Sequence, residues 1–165
     1  MKKVILSALA VMAFGFAKAQ EGHFKLGAHV GIPTGDIKDA FSVNLGADVA
    51  YMWTINNQFS AGALTGFTDY LGKTQRFAGI DIKWDDASFI PVGGTAQFSV
   101  TDKLFVGADL AYAIDVSKDS GDGGFLYQPK FGYQAPKFEL YVSYKGISLD
   151  GATFSTVSFG ANYKF

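Results

Sequence analysis

The chain has 165 residues, enough for one domain, and its formal net charge of −1 gives no basic surface for nucleic acid. It contains no cysteine, which excludes disulfides, thiolate metal ligands, a cysteine nucleophile and a lipid-modified cysteine. The 20 glycines, 4 prolines, 16 Phe, 8 Tyr and 2 Trp favour an all-β protein.

The first 19 residues are typical of a secretory signal peptide. Two lysines precede an apolar stretch over residues 4–17, and Ala17-Lys18-Ala19 supplies a small-x-small cleavage pattern. About 14 apolar residues fall short of the roughly 20 that a transmembrane helix needs. We therefore expect cleavage after Ala19 and export of a single domain over residues 20–165.

Eight stretches of the exported domain alternate between apolar and polar side chains, the period of a β-strand with two different faces. The clearest covers residues 104–116, whereas in residues 59–70 Leu64 interrupts the polar face. Pro91 predicts a bulge or an unpaired position. The eight predicted strands cover residues 23–32, 42–53, 59–70, 88–100, 104–116, 125–134, 138–145 and 157–165.

The predicted connections alternate in length. Short turns follow the second, fourth and sixth strands, and longer loops follow the others, the last of them over residues 146–153. Outer-membrane barrels have short periplasmic turns and longer outer loops. The sequence therefore predicts an eight-stranded antiparallel up-and-down transmembrane β-barrel with both termini on the periplasmic side.

In such a barrel the apolar faces point to lipid and the polar faces point inward. Four inward lysines then balance four inward acids, so we predict a hydrogen-bonded network that fills the interior without a wide pore. The predicted interior polar residues are Lys25, His29, Asp48, Asp109, Asp115, Lys130, Glu139, Lys145 and Lys164.

Aromatic residues near the strand ends favour a membrane barrel over a lipocalin-like barrel or a sandwich, in which the polar faces would meet solvent. The predicted turn-side girdle contains Tyr51, Trp53, Phe59, Phe98, Tyr133, Phe138, Tyr163 and Phe165. The predicted loop-side aromatics are Phe67, Tyr70, Tyr112, Phe125, Tyr144 and Phe154.

The last predicted strand should pair with residues 24–32 and close the barrel. With its signal peptide, eight strands and final Tyr163-Lys164-Phe165, the chain resembles the OmpA/OmpX-like group of small Gram-negative outer-membrane barrels. Residues 31–36, GIPTGD, resemble outer-membrane barrel proteins of Bacteroidetes. The resemblance implies that Tyr163 and Phe165 form a C-terminal signal for the barrel-assembly machinery. It also implies contact with outer-membrane lipid and lipopolysaccharide, and we expect a monomer.

No motif in the sequence is a strong indication of a catalytic or metal site. His29 lies on an inward face with Asp48 near it, but no nucleophile completes a hydrolase site. Residues 119–124 resemble a calcium loop only faintly, because the ligand spacing and closing Glu are missing. We expect no catalytic residue, cofactor or metal. The first hypothesis is a non-enzymatic envelope or surface-interaction protein; the alternatives are a narrow channel or transporter and a lipid-A-modifying enzyme.

Overall fold

The computed structural model describes residues 22–77, 80–118 and 121–165, so the predicted signal peptide lies outside the described residues. Eight of its ten strands form one closed antiparallel barrel, and the other two form a separate hairpin. The barrel strands are β1 (Gly22–Thr34), β2 (Phe41–Thr54), β3 (Phe59–Gly72), β6 (Ala87–Ser99), β7 (Leu104–Asp115), β8 (Gly124–Gln134), β9 (Phe138–Leu149) and β10 (Ala152–Lys164). The hairpin strands are β4 (Thr74–Phe77) and β5 (Ile80–Lys83).

The barrel closes between its first and last strands. Around the barrel each strand pairs with its neighbours in the chain, except that β3 pairs with β6 across the hairpin. The β1–β10 ladder places Lys25 opposite Lys164 and Ile32 opposite Val157, which confirms the predicted closing pair. Closure leaves no free sheet edge in the barrel.

The outer wall is apolar over most of its height. Large apolar side chains that alternate along each strand are exposed, including Ile32 at 71 %, Leu110 at 56 % and Phe125 at 53 %. Their neighbours in the same strands, such as Lys25, Asp109 and Glu139, are buried inside the barrel. This is the arrangement of a membrane barrel, since a soluble barrel has its polar side chains outside.

The turns at one end of the barrel are short, as predicted. In the β2–β3 turn, Asn56 Oδ1 accepts hydrogen bonds from the backbone N–H groups of Gln58 and Phe59, at 2.9 and 2.8 Å. Thr101 Oγ1 makes the same kind of contacts with the N–H groups of Lys103 and Leu104 in the β6–β7 turn. Such side-chain acceptors replace strand hydrogen bonds at a tight turn. We call this the turn end, and the opposite end the loop end.

The predicted loop over residues 146–153 is wrong. Strand β9 continues to Leu149, β10 begins at Ala152, and only Asp150 and Gly151 connect them. Gly151 has φ 95°, a backbone conformation that this tight turn requires and that residues with a Cβ rarely adopt. The alternation of short and long connections therefore fails at this corner of the barrel.

The long connection between β3 and β6 contains the β4–β5 hairpin, which the sequence pattern did not predict. Backbone hydrogen bonds fix its base: the Lys73 N–H donates to Ala40 O at 2.7 Å, and the Trp84 N–H donates to Lys73 O at 3.0 Å. The Lys73 ammonium also donates to Lys38 O at 2.6 Å. The hairpin is therefore attached to the β1–β2 connection.

Two prolines interrupt ladders without shifting the register. The β3–β6 pairs pass from Thr65↔Val92 to Thr68↔Phe89, so Pro91 is unpaired towards β3 without a bulge, while it still pairs with Ala113 of β7. The β8–β9 pairs likewise pass from Tyr127↔Gly146 to Lys130↔Ser143, skipping Pro129. Proline has no N–H to donate to a ladder.

An aromatic cluster fills the interior at the loop end. Phe154 lies at its centre, with ring centroids 5.3 Å from Phe41, 5.2 Å from Tyr70 and 5.4 Å from Phe89. Tyr70 and Phe89 are 0 % and 1 % exposed. Tyr70 and Phe154 lie at the loop end as predicted, and their side chains point inward. We call these four residues the aromatic plug.

Candidate functional site

Below the plug, the interior contains a polar network whose turn-end part is organised around Glu139. This carboxylate is 1 % exposed. Its Oε1 accepts from Lys25 Nζ at 2.7 Å and from Gln97 Nε2 at 3.1 Å, and its Oε2 accepts from Asn162 Nδ2 at 3.0 Å. The Lys164 ammonium lies 3.7 Å from Oε1. Several donors therefore share the charge of one buried acid, which offsets its desolvation.

A second ion pair lies on the neighbouring strands β7 and β8. Lys130 Nζ is 2.5 Å from Asp109 Oδ2 and 5.1 Å from the ring centroid of Tyr141. The ammonium thus has an anion on one side and an aromatic face on another, an arrangement that stabilises a desolvated cation. Asp109 Oδ1 and the Tyr141 hydroxyl are buried and have no hydrogen-bond partner among the described residues.

His29 is the centre of a third group. Its Nδ1 lies 2.8 Å from Asp48 Oδ2, and its Nε2 lies 2.7 Å from Lys145 Nζ and 3.3 Å from Thr68 Oγ1. Gly46 makes room for the ring, because a Cβ at this position would lie 2.4 Å from His29 Cε1. Asn44 adds a hydrogen bond from its Nδ2 to Thr68 Oγ1, at 2.8 Å.

The space that remains between these groups is small. A cavity of about 30 Å³ lies among Lys25, Asp48, Gln97, Asp109 and Lys130. That volume is enough for about one or two water molecules and for no larger solute. The polar interior is therefore filled by its own side chains.

Eight of the nine predicted interior residues belong to these three groups, and Asp115 does not. Asp115 lies at the loop end of β7, half-buried, and its two carboxylate oxygens accept from the N–H groups of Ser117 and Gly121, at 2.8 and 3.3 Å. It fixes the start of the β7–β8 connection and pairs with no interior lysine among the described side chains. The connection's faint calcium pattern lies partly outside the described residues.

The sequence analysis missed the neutral members of the network. Gln97 links Lys25 to Glu139. Asn162 donates to Glu139, and Thr68 accepts from Lys145. All three occupy inward positions of the period-two pattern, so the pattern predicts that their side chains point inward. It does not predict their hydrogen-bond partners, because the partners lie on other strands and the pattern does not give the register between strands.

Tyr163 and Phe165 lie on the outer surface at the turn end. They are 45 % and 71 % exposed, and their ring centroids are 4.9 Å apart. The Phe165 N–H donates to Phe24 O at 3.0 Å, so the last residue is still attached to β1. Both aromatic side chains are therefore available at the barrel rim.

The order Asp48–His29–Thr68 has the hydrogen-bonding pattern of an acid, a base and a hydroxyl nucleophile. Thr68 is 0 % exposed and His29 is 5 % exposed, and the aromatic plug covers the loop end above them. A substrate has no room to approach the hydroxyl. No group of three His, Cys, Asp or Glu among the described residues is placed to hold a metal ion.

This chain is similar to known proteins in structure and not in sequence family. No protein-family model matches the chain, and no curated protein matches it. In residues 22–77, 80–118 and 121–165, no helix is long and apolar enough to cross a membrane.

Several solved barrels are similar to this chain in fold. The outer membrane protein Ail of Yersinia pestis, in a phospholipid bilayer nanodisc, has a TM-score of 0.57 at 18 % identity, covering 88 % of this chain and 100 % of that one. Neisserial surface protein A gives 0.53 at 15 % identity, covering 87 % and 97 %. The N-terminal β-barrel domain of Pseudomonas aeruginosa OprF gives 0.52 at 14 % identity, covering 88 % and 100 %. The chain therefore has the fold of the small eight-stranded outer-membrane barrels.

Proposed function

We propose that this chain is a non-enzymatic outer-membrane protein of a Gram-negative envelope, exported by the signal peptide of residues 1–19. Its role is structural or lies in surface interaction through the loop end. The observation that carries the proposal is the combination of an apolar outer wall with a closed polar interior. Exposing an outer wall this apolar is unfavourable for a monomer in water and favourable in lipid.

The strand lengths fit a bilayer. The barrel strands have 11 to 14 residues. About 9–11 tilted residues suffice to cross the hydrocarbon layer. We place the turn end in the periplasm, where Tyr163 and Phe165 would serve as the signal for the barrel-assembly machinery. The loop end would then face lipopolysaccharide. The resemblance to Bacteroidetes barrels stays a prediction from residues 31–36.

The filled interior supports a structural role over a channel. The aromatic plug blocks the loop end, and the Glu139 cluster fills the turn end. We expect no steady single-channel current in planar bilayers. A steady current that disappears when Asp109 or Lys130 is replaced would contradict the plugged interior.

The loop end supports a surface role because one of its connections is structured. The β4–β5 hairpin is anchored through Lys73, and the Gly72 N–H donates to Asp86 Oδ1 at 2.8 Å. Trp84 beside it is 48 % exposed. A pre-ordered surface loses less entropy on binding than a flexible loop does.

Leu110→Lys tests the membrane assignment directly. Leu110 lies near the middle of β7 and is 56 % exposed. A lysine at the bilayer midplane costs about 2–4 kcal/mol, whereas the same change on a water-exposed surface stays within about 0.5 kcal/mol. The measurement is urea unfolding from lipid vesicles, with Ser148→Lys as a control on the outer face of the loop end.

Fractionation and heat-modifiable gel migration complete the test. We expect the folded protein in the outer-membrane fraction, migrating differently before and after boiling. A soluble periplasmic protein, or Leu110→Lys with wild-type stability, would refute the proposal.

A further inference from the structure

Two adjoining shallow recesses, both widely open to the outside, form an apolar groove on the outer wall along β8 and β9. One recess, of about 370 Å³, lies between Pro129, Phe131, Val142, Tyr144 and Val157. The other, of about 230 Å³, shares the Phe131–Val142 pair and continues towards the turn end. We call the two together the β8–β9 groove.

The ladder gap at Pro129 and two aromatic pairs define the ends of this groove. Pro129 places a compact ring where its neighbours carry large side chains, and the β8–β9 ladder is interrupted beside it. The rings of Tyr127 and Tyr144, 6.3 Å apart, border the loop end of the groove. The rings of Tyr133 and Phe138, 6.2 Å apart, border its turn end. Four residues of strand, about 13 Å, separate Pro129 from Tyr133.

The groove leads to a polar recess at the turn end. This recess, of about 380 Å³, includes Tyr133, which also borders the groove, and it is lined by Lys103, Lys164 and Asp102. Lys137 lies on the adjacent turn, where its carbonyl accepts from the Lys164 N–H at 2.8 Å. The exposed Lys103 and Lys137 thus outnumber Asp102 at this edge, while the Lys164 ammonium lies 3.7 Å from Glu139 Oε1. The β2–β3 turn, residues 55–58, has the sequence INNQ and carries no charge.

We infer that the β8–β9 groove binds one acyl chain of a glycerophospholipid from the leaflet at the turn end, with its phosphate in the recess beside Lys103. The inference rests on the membrane insertion proposed above. Aromatic pairs such as Tyr133 and Phe138 sit at the level of lipid headgroups, which places Lys103 at phosphate height. A lysine attracts anionic headgroups, and an apolar groove is complementary to a hydrocarbon chain.

The test is native mass spectrometry of the folded protein released from bilayers of phosphatidylglycerol and phosphatidylethanolamine. We expect wild type to retain one phospholipid, preferentially phosphatidylglycerol. Val142→Trp fills the groove with another apolar side chain and should abolish retention. Lys103→Gln should reduce retention about fivefold, the effect of one lysine at a headgroup.

Two matched controls make the result specific. Val92→Trp changes an outer-wall valine on β6, and Lys118→Gln removes an exposed lysine from the loop end. Both should retain lipid like wild type. Wild-type retention by Val142→Trp or by Lys103→Gln would overturn the inference, as would release of a protein dimer in place of the lipid complex.

Heat-modifiable migration of every variant separates this outcome from a failure of the proposed function. A protein that does not enter bilayers refutes the membrane assignment itself. A protein that inserts normally but shows no groove-dependent lipid refutes only the β8–β9 groove.

Discussion

Glu139→Gln removes one charge from the centre of the turn-end network and keeps the size of the side chain. The carboxylate is 1 % exposed and its partner Lys25 is 6 % exposed, so neither group can exchange the other for bulk water. Lys25 Nζ and Glu139 Oε1 lie 2.7 Å apart. After the change, Lys25 keeps its hydrogen bond to Gln97 Oε1, also 2.7 Å, but loses its counter-ion.

The expected loss in unfolding free energy is large. Removing one partner of a buried ion pair costs about 3–5 kcal/mol, because the other charge stays buried without compensation. The remaining amide acceptor and the hydrogen bond to Gln97 place the expectation near the lower limit, about 3 kcal/mol. Lys25→Gln combined with Glu139→Gln removes both charges, so the double variant should recover at least about half of that loss.

Urea unfolding from lipid vesicles, followed by Trp fluorescence, measures both effects. Asp102→Asn is the control, since Asp102 is exposed in the β6–β7 turn and its replacement should change stability by no more than about 0.5 kcal/mol. A loss below about 1 kcal/mol for Glu139→Gln would refute the reasoning. So would a double variant that is less stable than either single one.

Three further predictions concern the rest of the barrel. His29→Ala should lower the unfolding free energy by about 1–3 kcal/mol in the same assay, because the buried Lys145 and the half-buried Asp48 each lose a partner, and should leave the lipid A profile of cells unchanged. Phe89→Ala should cost about 3–5 kcal/mol and Phe125→Ala clearly less, since only Phe89 lies in the dry interior; equal losses would contradict the aromatic plug. Deleting Ala152–Lys164 should prevent insertion into vesicles on a gel-shift assay, whereas shortening residues 71–87 should not; insertion of the truncated chain would show that closure by β10 is dispensable.

The period-two pattern predicted the barrel well in the zone where its outer wall is apolar. Predicted and observed bounds of β2 and β7 differ by at most one residue at each end, and the closing pair of β1 and β10 is as expected. In this zone the outer face is apolar and the inner face carries the charges. The polarity of a residue therefore predicts whether its side chain points outward or inward.

The pattern failed at the loop end because the apolar residues move from the outer face to the inner face there, although the alternation keeps its phase. Tyr70 and Ile147 point inward and are buried, while their strand neighbours Asp69 and Ser148 point outward. At this end the outer face carries polar residues and the plug fills the inside of the wall, as in a soluble barrel. A prediction that assumes an apolar outer face along the whole strand does not expect the aromatic plug and interprets the end of β9 as a loop.

The network was predictable as a set of residues and not as a set of contacts. Lys25 and Glu139 are 114 positions apart in sequence, and their pairing depends on the registers of β1, β10 and β9 together. Alternation gives the face of a side chain, whereas the height of that side chain in the barrel comes from the ladders. The same limit hid the links made by Gln97.

The two-residue turn at Asp150 and Gly151 has a consequence for how the loop end can be modified. Exposed connections accept inserted peptides and protease cleavage, but a tight turn between two fully paired strands accepts neither. Because Gly151 has φ 95°, even a single inserted residue must rebuild the turn. A peptide epitope for surface display therefore belongs in the β7–β8 connection near Lys118, and trypsin applied to whole cells should cut there and spare the β9–β10 corner.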